Sequence, residues 1–201
     1  NYTVVVGDGE PITVTGVVAG VAKSVNIGKL DANDYIVKVK FNGNENYTES
    51  AVVSKNLTVN KANVHVTITA SDVTYPGDVV VTVESDVAGN YSLFVGTSSP
   101  RYVVLEAGVA SDVSFAGLDA GTYEFTVALP ESGNYNEVSK SVNATVSKAD
   151  VNVTISAVDV TYPGDVVVTV ESDVAGNYSI FVGTSSPRYV VLEAGVAQNV
   201  T

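Results

Sequence analysis

The chain contains no cysteine, no methionine and no tryptophan. Without cysteine there is no disulfide framework and no thiolate metal site, so stability must come from packing and hydrogen bonding. Missing cysteine does not by itself assign a redox compartment. Histidine is nearly absent as well: His65 stands alone. Basic residues are scarce, 10 Lys and Arg against 22 Asp and Glu, for a formal charge of −12. Nucleic-acid binders need stripes of Lys and Arg, so nucleic acid is excluded as a partner. An acidic surface suits a soluble, self-repelling exterior. No run of 18 apolar residues occurs, so no membrane-spanning helix is expected in this segment. A signal-peptide pattern and an initiating methionine are also missing. The chain opens and closes in mid-repeat and reads as a window on a longer polypeptide.

What is present is repetition. Residues 62–114 recur as residues 149–201, 87 positions later. The 53-residue copies differ only at 63/150, 65/152, 69/156, 71/158, 93/180, 111/198, 112/199 and 114/201. A fixed period of this size indicates an array of domains. The segment 1–60 aligns as the rear of a diverged repeat: Asn1-Tyr2 with Asn90-Tyr91, Leu30-Asp31-Ala32 with Leu118-Asp119-Ala120, and Tyr35 with Tyr123. The division is therefore 1–60, a partial repeat without its first strands; 61–147, a complete repeat; and 148–201, a partial repeat without its last strands.

The local patterns are those of strands. Val64, Val66 and Ile68 alternate, as do Val79, Val81 and Val83, and Tyr123, Phe125, Val127 and Leu129. Period-2 alternation of β-branched and aromatic residues is the signature of a strand with one buried face. Tyr35, Val37, Val39 and Phe41 predict the same for the first repeat, with Lys38 and Lys40 outward. Asp8-Gly9 predicts a tight hairpin turn using positive φ, and Tyr75-Pro76-Gly77 a turn in which Pro fixes φ and Gly takes the positive value. About seven strands are expected in residues 61–147, with no helical periodicity. The predicted class is all-β: tandem immunoglobulin-like sandwiches laid out as a rod. A tyrosine just after a turn, in Asp119–Tyr123 and Asp31–Tyr35, resembles the tyrosine corner of such sandwiches. The joints Asn60–Asn63 and Ser147–Asp150 lack Gly and Pro and predict short, stiff connections.

No catalytic constellation emerges, and an enzyme is not expected. His65 sits between Val64 and Val66, and its counterpart is Asn152, so no site depends on it. Gly7-Asp8-Gly9 has no helix after it and reads as a hairpin turn. No lysine lies on an inward face beside a buried acid, as an isopeptide cross-link would require. No cofactor is expected. Calcium is the one metal whose oxygen ligands match Asp72, Asp78, Asp86 and Glu106, with the repeated Asp159, Asp165, Asp173 and Glu193; ordinary turn roles for these aspartates compete with it. The recurrent polar motif is Asn-x-Ser/Thr, at Asn1, Asn46, Asn56, Asn90, Asn143, Asn152, Asn177 and Asn199. These are the expected N-glycosylation acceptors in a glycosylating cell. Tyr102 and Tyr189, each following an arginine (Arg101, Arg188) at a hairpin tip, are the candidate exposed contacts.

The register of Gly89–Ser92, Leu118–Tyr123, Gly133–Asn136 and the joint Val146–Thr154 resembles the tandem bacterial-type Ig-like repeats of prokaryotic surface proteins. The adhesin-like proteins of methanogenic archaea are the closest likeness. That resemblance implies an extracellular protein attached to the cell surface or wall, with repeats forming a stalk or fibre. The implied partners are other copies of the repeat, in the same or neighbouring chains, and glycans or proteins of a host or neighbouring cell. Polymerised filament or sheath subunits, and repeats that themselves bind glycans or a partner, are the alternatives. Complementation between the two partial repeats of neighbouring chains is disfavoured, because residues 1–27 and 177–201 supply the same strands.

Overall fold

A computed structural model describes all residues, Asn1–Thr201. It contains seventeen strands and no helix. The chain divides into two compact units: Asn1–Val73 with Gly77–Val146, and Thr74–Pro76 with Ser147–Thr201.

The segment 61–147 carries strands β5 (Val66–Ala70), β6 (Val73–Thr74), β7 (Val79–Ser85), β8 (Gly89–Val95), β9 (Arg101–Leu105), β10 (Ser111–Phe115), β11 (Gly121–Leu129) and β12 (Val138–Ser147). Seven match the expectation, and β6 is a two-residue addition at a sheet edge. Two sheets form, in the orders β10-β7-β5 and β6-β12-β11-β8-β9. Their inward residues make one core. Val66, Val79, Val81, Val83 and Phe115 come from the first sheet, and Tyr91, Leu93, Leu105, Phe125, Val127, Ala144 and Val146 from the second. β7 shows the alternation most plainly: Val79, Val81 and Val83 are fully buried, while Val80 is exposed. The Phe115 and Phe125 rings meet between the sheets, tilted, with centroids 5.0 Å apart. Burying each such side chain stabilises by about 1.5–3 kcal/mol. Every member of this core lies within residues 64–146.

Two tyrosine hydroxyls lock this repeat. Tyr91 is fully buried; its hydroxyl donates to Val87 O at 2.8 Å and lies 2.7 Å from Ser85 Oγ. Tyr123 donates to Asp119 O at 2.9 Å, the bond expected of a tyrosine corner. The turn at Tyr75–Gly77 differs from its prediction. The Tyr75–Pro76 peptide is cis, and Gly77 is not among the glycines with positive φ.

The segment 1–60 forms a single sheet, in the order β2-β1-β3-β4, from β1 (Tyr2–Val6), β2 (Ile12–Val14), β3 (Asn33–Phe41) and β4 (Val53–Val59). The predicted β1–β2 hairpin is present, with Val4 opposite Ile12. Its positive-φ residue is Gly7 (φ 55°), not the Asp8-Gly9 pair. Gly7 accepts this backbone at no steric cost, whereas Asp8 would pay for its Cβ. The alternating face of β3 is only half covered: Val39 is 37% exposed, although Val127, its counterpart, is 1% exposed. No second sheet lies over β3, so alternation here does not produce a buried face. Tyr35 nonetheless donates its hydroxyl to Asp31 O at 2.9 Å, repeating the corner of Tyr123.

The segment 148–201 carries β13 (Val153–Ala157), β14 (Val168–Ser172), β15 (Gly176–Ile180), β16 (Arg188–Leu192) and β17 (Gln198–Val200). They pair as β13-β14-β17 and β15-β16. A small core of Val170, Ile180 and Leu192 survives. Val166 is 54% and Val153 46% exposed, against 0% and 4% for their counterparts Val79 and Val66. These four valines lie in nearly identical sequence. The difference is that β13–β17 have no counterparts of β11 and β12 to bury against.

Candidate functional site: the joint between repeats

The side chains that bring two repeats together lie around Lys61–Asn63 and the turn from β11 to β12. Pro130 ends β11, since proline cannot continue donating to a ladder. The chain then turns through Glu131–Asn136, closed by Ser132 N–H donating to Tyr135 O at 3.0 Å. Residue Ala62 pairs in parallel with Tyr135. Ala62 N–H donates to Asn134 O, and Asn136 N–H donates to Ala62 O, both at 2.9 Å. Asn136 Nδ2 also donates to Asn63 Oδ1 at 2.7 Å. Lys61 Nζ meets Glu131 Oε1 at 2.6 Å. The hydrogen bond from Lys61, and then its charge, hold the Glu131 carboxyl below the usual carboxylate range.

This turn presents Asn134 to the preceding repeat. Its Nδ2 donates to Asp31 Oδ1 at 2.9 Å, and its Oδ1 accepts from Ala32 N–H at 2.8 Å. The carboxamide therefore spans a carboxylate and an adjacent amide, using both of its ends. The bond to Asp31 is charge-assisted, which strengthens it over a neutral pair. Tyr35 holds the other side of this socket through the Asp31 carbonyl. Residues 102 and 103 apart are thus joined by one side chain. Short pairing segments and a bidentate amide make a joint with few rotatable degrees of freedom, unlike a Gly/Ser linker.

No protein-family model, curated protein or solved structure matches this chain. Its chemistry has to be read from its own side chains.

All eight asparagines of the Asn-x-Ser/Thr motif are exposed. Asn90, Asn143 and Asn56 stand on strands opposite Val104, Glu124 and Ile36. Asn177 stands opposite Val191 on β15. Asn152 lies just before β13, with its N–H donating to Asp173 Oδ1 at 3.0 Å. Asn199 Oδ1 accepts from the Thr169 hydroxyl at 2.8 Å. Asn46 N–H donates to Asn44 Oδ1 at 3.0 Å, so its own carboxamide takes no part in that turn bond, and the carbonyl of Asn1 accepts from Asn42 N–H at 3.0 Å.

The acidic residues considered for calcium are not brought together: no three carboxylate or imidazole side chains form a group that could hold a metal. Three serve the backbone or a hydroxyl singly. Asp72 Oδ1 accepts from Thr145 N–H at 2.7 Å, Asp86 Oδ1 from His65 N–H at 2.8 Å, and Asp78 Oδ2 from the Ser114 hydroxyl at 3.3 Å. His65 is exposed and lies in no titratable cluster. At the hairpin tips, Tyr102 and Tyr189 are 69% and 75% exposed. Each arginine neighbour is itself exposed and engages a backbone carbonyl. Arg101 donates to Ser114 O at 2.8 Å and lies over the Phe115 ring, 4.6 Å from its centroid; Arg188 likewise donates to Thr201 O.

Sequence reasoning did not find the Asn134 contact. The Leu-Asp-Ala and Gly-Asn-Tyr-Asn motifs were visible as register marks. Nothing in their spacing says that one reaches the other across a repeat boundary.

Proposed function

We propose that this chain is part of a non-catalytic extracellular scaffold, whose tandem immunoglobulin-like repeats form a stalk or fibre attached to the cell surface or wall. The observation that carries the proposal is the joint. One asparagine spans the Asp31-Ala32 corner of one repeat, and the Lys61–Asn63 connection is pinned by backbone pairing and an ion pair. Near-identical copies support a spacing role, because diversified recognition would favour divergent surfaces. In such an array stability is roughly a sum of repeat terms and joint terms. The exposed asparagines supply acceptors for a glycan coat on the fibre.

Small-angle X-ray scattering on chains of two, three and four repeats tests the proposal. A stalk requires the maximum dimension to rise linearly with repeat number. A square-root rise, as in a flexible string, would remove the mechanical role. Surface proteolysis of intact native cells tests the location: loss of the protein from sealed cells supports it, and full protection contradicts it.

The exposed Tyr102 and Tyr189 favour a second reading, in which the repeats themselves hold glycans or a partner by stacking. Glycan-array binding that is lost on changing both tyrosines to alanine would favour it over pure spacing.

A further inference from the structure

We infer that Asp119 and Ala120 form a second socket, built to take the asparagine of a further repeat's Gly-Asn-Tyr-Asn turn. The inference rests on the repeat-scaffold reading and names the contact that continues the array.

The first socket defines the requirements. Asp31 supplies a carboxylate, Ala32 a backbone N–H, and Tyr35 fixes the Asp31 carbonyl from behind. The complete repeat reproduces each part. Leu118-Asp119-Ala120 repeats Leu30-Asp31-Ala32 without change. Tyr123 donates to Asp119 O at 2.9 Å, the distance also found for Tyr35 and Asp31. One property differs. Ala32, under Asn134, is half-buried, whereas Ala120 is exposed. Its N–H has no hydrogen-bond partner, and Asp119 enters no salt bridge.

The matching turn is equally reproducible. Ser132 N–H donates to Tyr135 O at 3.0 Å in the complete repeat, and Asn44 N–H donates to Tyr47 O at 2.9 Å in the first. Two diverged sequences thus close the same turn ahead of β12 and β4, with Asn134 and Asn46 in equivalent places. Any repeat with this turn carries the carboxamide that the socket fits. The occupant has to be covalently joined. Two hydrogen bonds at an exposed site hold nothing between free molecules, but a short connection supplies a high effective concentration. Side-chain specificity then sets how consecutive repeats meet, while the backbone connection sets that they do.

The test inserts a second copy of Lys61–Ser147 after Ser147 of the full chain. The inserted copy carries its own A120G, so that a single Ala120 amide is read. Amide exchange by NMR is compared at Ala32 and Ala120. In the 201-residue chain Ala32, bonded to Asn134 Oδ1, should exchange slowly, and Ala120, whose N–H has no partner, rapidly. With the insertion, Ala120 slows by about 2- to 12-fold, the protection that one net hydrogen bond gives. N134A in the inserted copy alone returns Ala120 to its fast rate, with Ala32 unchanged. An inserted repeat that fails to fold there, or that folds and leaves Ala120 fast, overturns the proposal. A fast Ala32 in the unmodified chain would instead overturn the reading of the first joint.

Discussion

Removing one hydroxyl from Tyr91 and from Tyr178 should have different consequences, although their 21-residue surroundings are identical. In the complete repeat the Tyr91 hydroxyl serves two groups: Val87 O at 2.8 Å and the buried Ser85 Oγ at 2.7 Å. The Tyr91 side chain is fully buried and Ser85 is 2% exposed. Tyr91→Phe leaves both partners facing a cavity that water enters poorly. An unsatisfied buried group costs about 1–3 kcal/mol. Tyr178 makes the same two bonds, to Val174 O and Ser172 Oγ, each at 2.7 Å. Ser172 is as buried as Ser85, at 2%, but the Tyr178 side chain is only half-buried and Val174 is 44% exposed. Water therefore reaches the gap from the Val174 side, and the cost falls toward that of an ordinary net hydrogen bond, about 0.5–1.5 kcal/mol. Native-state amide exchange gives each region its own opening free energy. The expected result is a drop of about 1–3 kcal/mol at Val83 and Phe125 for Tyr91→Phe. Tyr178→Phe should lower Val170 by less and leave Val83 unmoved. Equal losses at the two sites, or no loss at Val83, would refute the claim that the facing sheet sets the environment.

Phe125→Ala empties the centre of the complete repeat and should cost about 3–5 kcal/mol; urea unfolding followed at Tyr91 should register it, and a loss under 1 kcal/mol would show that the core is not shared. The Glu131 carboxyl, held down by the Lys61 hydrogen bond and then by its charge, should titrate below the ordinary carboxylate range, and Lys61→Met should raise it back toward that range. Because its folded value is depressed, the joint gains from this pair above the unfolded carboxylate range and loses it as pH falls through the folded value; carboxyl carbon NMR shifts across the acid range check the sign. Expressed through a glycosylating secretory route, the chain should carry glycans at exposed asparagines such as Asn90 and Asn143. Mass spectrometry before and after enzymatic removal, with Asn→Gln variants, assigns them, and an unmodified mass would contradict the acceptor role.

Strand existence was legible wherever alternation met a facing sheet. Val79, Val81 and Val83 announce an inward row, and all three are fully buried. The same pattern misleads at Val39 and Val166, because alternation reports the face a strand offers, not whether another sheet covers it. The tyrosine corner was readable because hydroxyl and carbonyl lie four residues apart, as with Tyr123 and Asp119. Turn details were less accessible. Gly7, not Gly9, takes the left-handed conformation, and the Tyr75–Pro76 bond is cis. The Asn134 contact was beyond reach, since polar pairs about a hundred residues apart leave no periodic trace.

The central claim is that residues 61–147 form a self-sufficient two-sheet brick, since every residue of its core lies inside it. Far-ultraviolet circular dichroism of that fragment, with amide exchange at Val81, Val83, Phe125 and Val127, tests it most directly. The account predicts a β-type spectrum, one cooperative unfolding transition and slow exchange at all four amides. A helical or disordered spectrum, or rapid exchange throughout, would contradict it.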